Sequence, residues 1–232
     1  MKKNSILRIL YPVILISVFL IGTVSAQMTN TDTLDKGSSY GEVNLWTGLQ
    51  SHENGGQQVY GGRFSYGLKD GVEIGVNASG SNPNDPEFAR EIQPNIKFKF
   101  YNNKNKGVEA VAGVVAFVPV ANREGTDTFA MTYANISKKA KFDTRFTAGF
   151  YVLIARDKSF GTNKGVNLMV EKKLNEKAGL SLQWFSGKNR FGYVTGGASF
   201  QVGKKNSLFI GYSVGNYDYD NHGPVFSFGR YF

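Results

Sequence analysis

The chain has 232 residues, a formal net charge of +9 and no cysteine. Without cysteine it cannot be one of the small exported domains that disulfides hold together, so its stability has to come from packing or from closure of a sheet. The length allows one sizeable domain and requires no second one. Glycine (28 residues) and aromatic residues (14%) are frequent, and this composition favours a β-rich chain.

The N-terminal stretch has the three parts of a secretory signal peptide. Basic residues open the chain, an apolar run follows at 9–21, and small residues precede Gln27. The apolar run is too short to cross a bilayer as a helix, and Pro12 interrupts it. We therefore predict a signal peptide over residues 1–26 that is cleaved after Ala26, with an uncleaved N-terminal anchor as the alternative.

The remainder is predicted to consist of a polar leader over 27–40 and a β domain over 41–232. Along the β domain, apolar and polar side chains alternate in segments that turn-forming residues separate. A period of two residues predicts β-strands with one apolar face each, although a soluble sandwich would alternate in the same way. Twelve strands are predicted, at 41–49, 59–68, 72–79, 91–101, 107–118, 128–137, 142–152, 164–174, 179–186, 191–202, 207–215 and 224–232.

The links between these segments alternate in length, and this distinguishes a barrel from a sandwich. Long polar links are found at 50–58, 80–90, 119–127, 153–163 and 216–223. They take turns with short links at 69–71, 102–106, 138–141, 175–178 and 203–206, and only the short link at 187–190 breaks the order. Transmembrane barrels have short turns at one end and long loops at the other. The sequence thus predicts an all-β fold, an antiparallel up-and-down transmembrane β-barrel of about 12 strands.

The register of the strands can also be predicted from the apolar faces. If Leu68 and Val72 both face outward, they lie opposite each other across a tight hairpin in which Gly71 has a positive φ. This hairpin sets Phe64 opposite Val76 outside the barrel. The same rule gives the pairs Arg63–Asn77, Phe100–Val108, Lys99–Glu109, Phe200–Ile210 and Leu174–Leu180.

The predicted inward face carries charges of both signs. Ionised groups inside a barrel imply either a hydrated lumen or a network of ion pairs that plugs it. Inward glycines such as Gly113 and Gly149 either widen the lumen or serve strand curvature. Lys97 has no facing acid in this register, because its partner is Val111, so a channel is expected to prefer anions weakly. The predicted lumen-lining residues are Arg63, Glu73, Gln93, Asn95, Lys97, Lys99, Glu109, Asp143, Arg145, Glu171 and Lys173.

Signals for catalysis or metal binding are weak. The two histidines, His52 and His222, fall in predicted loops, where a solvated side chain is the ordinary case. Asp220 could orient His222, or join it and Asp218 around a cation, but no serine motif or ligand spacing supports either site. No catalytic residue, metal site or cofactor is predicted. Many lysines lie in the short turns, such as 203–206, where they fit solvent and anionic headgroups better than nucleic acid.

The last strand is unusual because it ends the chain on aromatic residues. Phe226, Phe228, Tyr231 and Phe232 would fray in water unless they meet lipid or a partner. This segment resembles the C-terminal signature of bacterial outer-membrane β-barrels. The resemblance implies that these four residues form a membrane-insertion signal read by the barrel-insertion machinery, that periplasmic chaperones escort the chain, and that the last strand pairs with the first, near 41–49. It places the protein in the bacterial outer membrane, in contact with lipid.

Three functions remain open on these observations. The first is a passive channel or transport-type protein for small hydrophilic solutes, without enzymatic activity. The second is a barrel plugged by its ion pairs, with a structural or adhesive role through its outer loops. The third is a lipid-modifying enzyme that uses the loop at 216–223.

Overall fold

The computed structural model describes residues 30–47, 58–81, 90–121, 128–155, 161–216 and 222–232. Within these ranges the chain forms twelve strands: β1 Ser39–Thr47, β2 Gln58–Lys69, β3 Val72–Ser81, β4 Arg90–Asn103, β5 Val108–Ala121, β6 Phe129–Lys139, β7 Thr144–Ala155, β8 Lys164–Lys173, β9 Ala178–Phe185, β10 Tyr193–Val202, β11 Asn206–Gly215 and β12 His222–Tyr231. The described residues contain no helix that is long and apolar enough to cross a membrane.

The strands close into one antiparallel barrel. Each strand pairs with its neighbours in the sequence, and β1 also pairs with β12, with Tyr40 opposite Tyr231 and Trp46 opposite Val225. Closure leaves no strand with an unpaired edge, which in a membrane would expose backbone polar groups to hydrocarbon. The predicted fold, with its twelve strands and the pairing of last strand with first, is confirmed.

Alternation along each strand separates an apolar outer face from the interior. On β7, Phe146 and Phe150 are 50% and 59% exposed, whereas the residue that follows each of them, Thr147 and Tyr151, is buried. Successive side chains of a strand point to opposite faces, so the aromatic residues here point outward. The outer surface therefore carries large apolar side chains of the kind that face lipid.

The predicted register is correct along the β2–β3 hairpin and wrong at its turn. Phe64 lies opposite Val76, and Gly71 has φ +75°, as predicted. Leu68 is not opposite Val72, because a bulge between Gly67 and Lys69 sets Lys69 there instead. The bulge adds one unpaired residue, which the alternation of the sequence does not reveal.

Four other predicted pairings are wrong. Val108 faces Asn103 and Glu109 faces Asn102, because a bulge after Lys99 shifts β4 against β5. The remaining two errors are offsets of two residues at short turns. Ile210 faces Ala198 instead of Phe200, and Leu180 faces Lys172 instead of Leu174. An offset of two keeps every side chain on its face, so the predicted inner and outer faces survive these errors.

The inward glycines Gly113 and Gly149 do not widen the lumen, because neighbouring side chains fill the space beside them. A Cβ at Gly113 would come within 2.4 Å of the Tyr133 ring, and one at Gly149 within 2.0 Å of the Asn135 side-chain oxygen. Side chains from the adjacent strand therefore occupy the room that these glycines leave.

Candidate solute path through the barrel

The polar leader enters the barrel and crosses it. Residues 30–38, which we call the N-terminal strap, start their crossing beside β2, where Gly37 N–H donates to Gly67 O at 2.8 Å. Leu34 N–H then donates to the Glu73 carboxylate of β3 at 3.0 Å. Both contacts lie close to the short turns, so the strap runs across that end of the interior.

The far end of the strap reaches the opposite wall. Thr31 is fully buried and hydrogen-bonds the Glu109 carboxylate at 3.1 Å and the Ser137 hydroxyl. Asp32 pairs with Arg145 of β7, with 2.7 Å between Oδ1 and Nη1. In a closed ring of twelve strands β7 lies opposite β1, so the strap spans the barrel.

Lys97 lies in the middle of this crossing, and the structure corrects its predicted surroundings. It faces Gly113 on β5 and Glu73 on β3, whose carboxylate lies 3.9 Å from Nζ. Lys97 Nζ also donates to Asp32 O at 2.7 Å and to the Asn30 side chain at 3.3 Å. Lys97 is therefore buried and paired, and the expected anion preference loses the free charge on which it depended.

The other predicted lumen-lining residues are mostly drawn into pairs. Arg63 lies 3.3 Å from Glu42, Lys99 lies 3.6 Å from Glu109 despite the shifted register, and Arg145 lies 2.5 Å from Glu171. Gln93 bonds Glu91, and Asn95 bonds Asn77. Lys173 is exposed at the short-turn mouth, and Asp143 lies in the turn before β7 with φ +50°.

The charge of Asp32 is held by its partner. Partial loss of hydration inside the barrel disfavours ionisation of this carboxyl, but the hydrogen bond and the positive charge of Arg145 outweigh it, and the pKa of Asp32 lies below its ordinary value. Lys99 and Lys97 contribute in the same direction. Asp32 is therefore ionised at neutral pH and fastens the strap to β7.

A second crossing lies nearer the long-loop end, and it is not among the predicted features of the sequence. The link between β9 and β10 places Arg190 against Glu91 of β4, with two hydrogen bonds of 2.7 and 2.8 Å. The Arg190 guanidinium also lies about 5.5 Å from the ring centres of Phe129 and Phe191. The sequence feature that indicates this crossing is the short link at 187–190 on the long-loop side. Because it breaks the alternation of link lengths, it could be expected to lie in a different place from the other links.

Apolar side chains fill the interior along β5, β6 and β7. The Phe117 and Phe129 rings stack with centres 4.3 Å apart, and Arg190 lies over Phe117. The buried cluster comprises Val111, Val115, Phe117, Phe129, Met131, Tyr133, Tyr151, Leu153 and Phe185. Together with the strap and Arg190, this cluster occupies one side of the barrel.

The other side of the barrel contains a cavity of about 950 Å³, which we call the lateral cavity. It extends from the short-turn end, where Lys173 and Lys177 border it, to Arg190 and Tyr193 near the other end. Its lining comes largely from β8 to β12 and from β1. The barrel thus encloses an off-centre cavity along one wall.

The four residues of the predicted insertion signal do not share one face. Phe226, Phe228 and Phe232 are exposed on the outside, as the alternation of β12 requires. Tyr231 lines the lateral cavity, and its ring centre lies 4.6 Å from that of Tyr40. Their role in insertion stays a prediction.

The described residues give little support to a catalytic site or a cation site at His222. The His222 imidazole hydrogen-bonds the Tyr212 hydroxyl at the outer surface. His52, Asp218 and Asp220 lie outside the described residues. Within the described ranges no group of three His, Cys, Asp or Glu side chains could hold a metal ion.

Comparison with known proteins identifies the fold. No protein-family profile and no curated protein matches the sequence. A KdgM porin in complex with disordered oligogalacturonate is similar in structure, with a TM-score of 0.56 and 7% identity over 84% of this chain and 98% of that one. An outer-membrane channel from Pseudomonas putida F1 is also similar, with a TM-score of 0.54 and 13% identity over 91% and 100%. The fold is that of bacterial outer-membrane β-barrels.

The same fold also carries enzymes. An active-site mutant of outer membrane phospholipase A from Escherichia coli has a TM-score of 0.50 and 11% identity, over 87% of this chain and 92% of that one. At these identities the likeness establishes architecture, and function has to be argued from the interior of this barrel.

Proposed function

We propose that the protein is a passive channel of the bacterial outer membrane for small hydrophilic solutes. The observation that carries the proposal is the lateral cavity of about 950 Å³, which follows one wall from the short-turn mouth toward Arg190. The porin and the channel with the same fold support it. The hydroxyl and amide groups in its lining allow solutes to exchange water for wall contacts along the way.

The outer membrane as the location rests on three features of the chain. These are the predicted signal peptide at 1–26, the apolar outer surface of the barrel, and the terminal aromatic residues at 226–232. Export and a lipid-facing barrel together fit a bacterial outer membrane.

A plugged barrel is the second candidate, and the two crossings favour it. The strap and the Arg190–Glu91 pair both span the interior, so each would obstruct a central pore. We give it second place because the lateral cavity runs beside the strap and reaches as far as Arg190. The lipid-modifying alternative has no comparable support, since the described partner of His222 is a tyrosine.

Planar-bilayer recording separates the two candidates. The refolded protein is compared with a variant lacking residues 30–36 and with one in which 30–34 is replaced by Gly and Ser at the same length. A channel conducts with the strap in place, and both variants conduct more because Lys97 and Arg145 lose their strap contacts. A silent wild type with conducting variants would establish the plugged barrel. Silence of all three would overturn the channel proposal.

A further inference from the structure

The inward side chains of β9 to β12 form a wall without fixed charge. In the described part of these four strands, the residues that line the lateral cavity include no Asp, Glu, Lys or Arg. Hydroxyl groups are the commonest polar groups there, from Ser181, Thr195, Ser199, Ser207, Ser213 and Ser227. These four strands, a third of the barrel, differ from the other eight, whose inward faces carry most of the charged side chains of the interior.

Lys139, Lys172, Lys173 and Lys177 border the lateral cavity at its short-turn mouth. Farther inside, the charges on the remaining strands are balanced locally. Five cations, Arg63, Lys97, Lys99, Arg145 and Arg190, each lie within 4 Å of a carboxylate of the barrel wall. An opposite charge at that distance cancels most of the field a cation would project into the lumen. The strap covers the same side, from Glu73 to Arg145. Beyond the mouth, a solute in the lateral cavity therefore meets the uncharged wall.

Aromatic pairs flank this wall near both ends. Tyr40 and Tyr231, 4.6 Å apart, line the cavity beside the short turns, and Tyr40 hydroxyl is 3.2 Å from that of Ser207. Trp46 and Tyr193 lie 6.2 Å apart toward the long-loop end. Aromatic rings present flat apolar faces with a polar edge.

We propose that the lateral cavity conducts uncharged polyhydroxylated solutes, the chemistry of neutral sugars and polyols. Hydroxyls of the wall both donate and accept hydrogen bonds, so they match a solute that does the same at every carbon. The aromatic pairs suit the C–H faces of a sugar ring. An ion gains no counter-charge along the wall and loses hydration in a narrow space, which is costly. This inference rests on the proposed channel function and names its substrate class.

Swelling of proteoliposomes tests the inference with three solutes of similar size. Glucose is expected to enter at least ~3-fold faster than gluconate and than glucosamine at pH 6, because only glucose lacks a charge. Equal entry of all three would overturn the inference and leave the channel standing. No entry of any solute would overturn the channel itself, and the inference with it.

A charge placed on the wall provides the second test. Ser199 is exposed to the lumen on β10, so Ser199→Glu adds a carboxylate and Ser199→Gln adds similar bulk without charge. In a salt gradient the wild type is expected to show a reversal potential close to zero. Ser199→Glu is expected to shift it toward cation selectivity and to slow gluconate further, whereas Ser199→Gln only slows permeation.

The two variants also define the result that contradicts the inference. If folded Ser199→Glu keeps the wild-type reversal potential, the wall does not line the conducting path. Heat-modifiable migration on gels establishes that each variant is folded. Thr195→Glu on the same strand replaces Ser199→Glu if that variant does not assemble.

Discussion

Asp32 is the residue that joins the far end of the strap to the barrel wall. Its carboxylate contacts Arg145 at 2.7 Å, while its backbone carbonyl accepts from Lys97. The side chain is 56% exposed, so solvent screens the pair and its contribution to docking is at most about 1 kcal/mol. That energy still changes the fraction of undocked straps on the order of fivefold.

Asp32→Asn is therefore expected to loosen the strap without unfolding the barrel. Brief openings to a higher conductance should become several-fold more frequent in single-channel records. Asp35→Asn is the matched control, because it removes the same charge from the same strap away from Arg145. Equal behaviour of the two variants would show that the Asp32–Arg145 pair does not hold the strap.

The pH dependence of docking follows from the lowered pKa of Asp32. Partial loss of hydration inside the barrel opposes ionisation, but Arg145 holds the pKa of Asp32 below the ordinary 3.8. A depressed carboxyl pKa stabilises the docked state above the ordinary value, and this stabilisation is lost as pH falls through the lowered one. Docking is thus expected to be constant from neutral pH down to about pH 4 and to weaken below it.

Conductance measured on both sides of that range tests this expectation. Wild-type openings should increase below pH 4, and Asp32→Asn should show a smaller increase, since its side chain no longer titrates. An equal response in both proteins would show that Asp32 is not the group responsible for the effect.

Sequence reasoning identified most inward residues because it needs only the face of each side chain. Alternation placed Glu73, Lys97 and Arg145 on the inside, where the structure has them. It did not reveal their partners. The predicted register leaves Lys97 unpaired because it covers only the pairing of β4 with β5, whereas the partner Glu73 lies on β3. The contacts of Lys97 with the strap are not predictable either, because a polar leader has no periodicity that would place it inside a barrel.

At the scale of elements, the inward link between β9 and β10 is the counterpart of the strap. Its Arg190 makes two hydrogen bonds to Glu91, whose side chain is only 4% exposed. Removing one partner of such a pair leaves a buried charge without its main compensation. Asn189 of this link donates to Thr162 O, and Asn216, which follows β11, donates to Phe185 O where the link begins, so the link itself should persist.

Arg190→Ala is accordingly expected to lower the free energy of unfolding by about 3 kcal/mol. Urea unfolding of the folded barrel in lipid measures this. Arg90→Ala removes the same charge next to Glu91 from an exposed side chain and should stay within about 0.5 kcal/mol of wild type. A small effect of Arg190→Ala would mean that Gln93 and solvent satisfy Glu91 on their own.

The elements themselves were predictable, and their exact pairing was not. Twelve segments with period two gave the twelve strands, since alternation is a property of each strand alone. Pairing depends on bulges and turn geometry between two strands. The bulge after Lys99 removes the predicted Phe100–Val108 pair. Such a bulge depends on the local twist between β4 and β5, which the alternation within each strand does not reveal.

At the scale of the whole molecule, the pairing of β1 with β12 closes the barrel. Tyr231 N–H donates to Lys205 O at 2.8 Å, and Phe232 N–H donates to Ser39 O at 3.0 Å. The last residue thus joins the ladder on the β1 side, and its exposed ring lies beside Arg230 on the outer surface. The C-terminus takes part in the seam that converts a sheet into a barrel.

Deletion of Phe232 is expected to impair assembly several-fold, because it removes a hydrogen bond of the closing seam and an apolar ring from the lipid-facing surface. The fraction that shows heat-modifiable migration, measured in outer-membrane fractions and after refolding into lipid, reports the effect. Phe142→Ala is the control, since Phe142 is 83% exposed at a turn and contributes no hydrogen bond to the β1–β12 seam. A loss in cells but not in lipid refolding would indicate that insertion machinery recognises Phe232. A loss in both would indicate that closure requires it. If the deletion assembles as well as the Phe142→Ala control, Phe232 serves neither purpose.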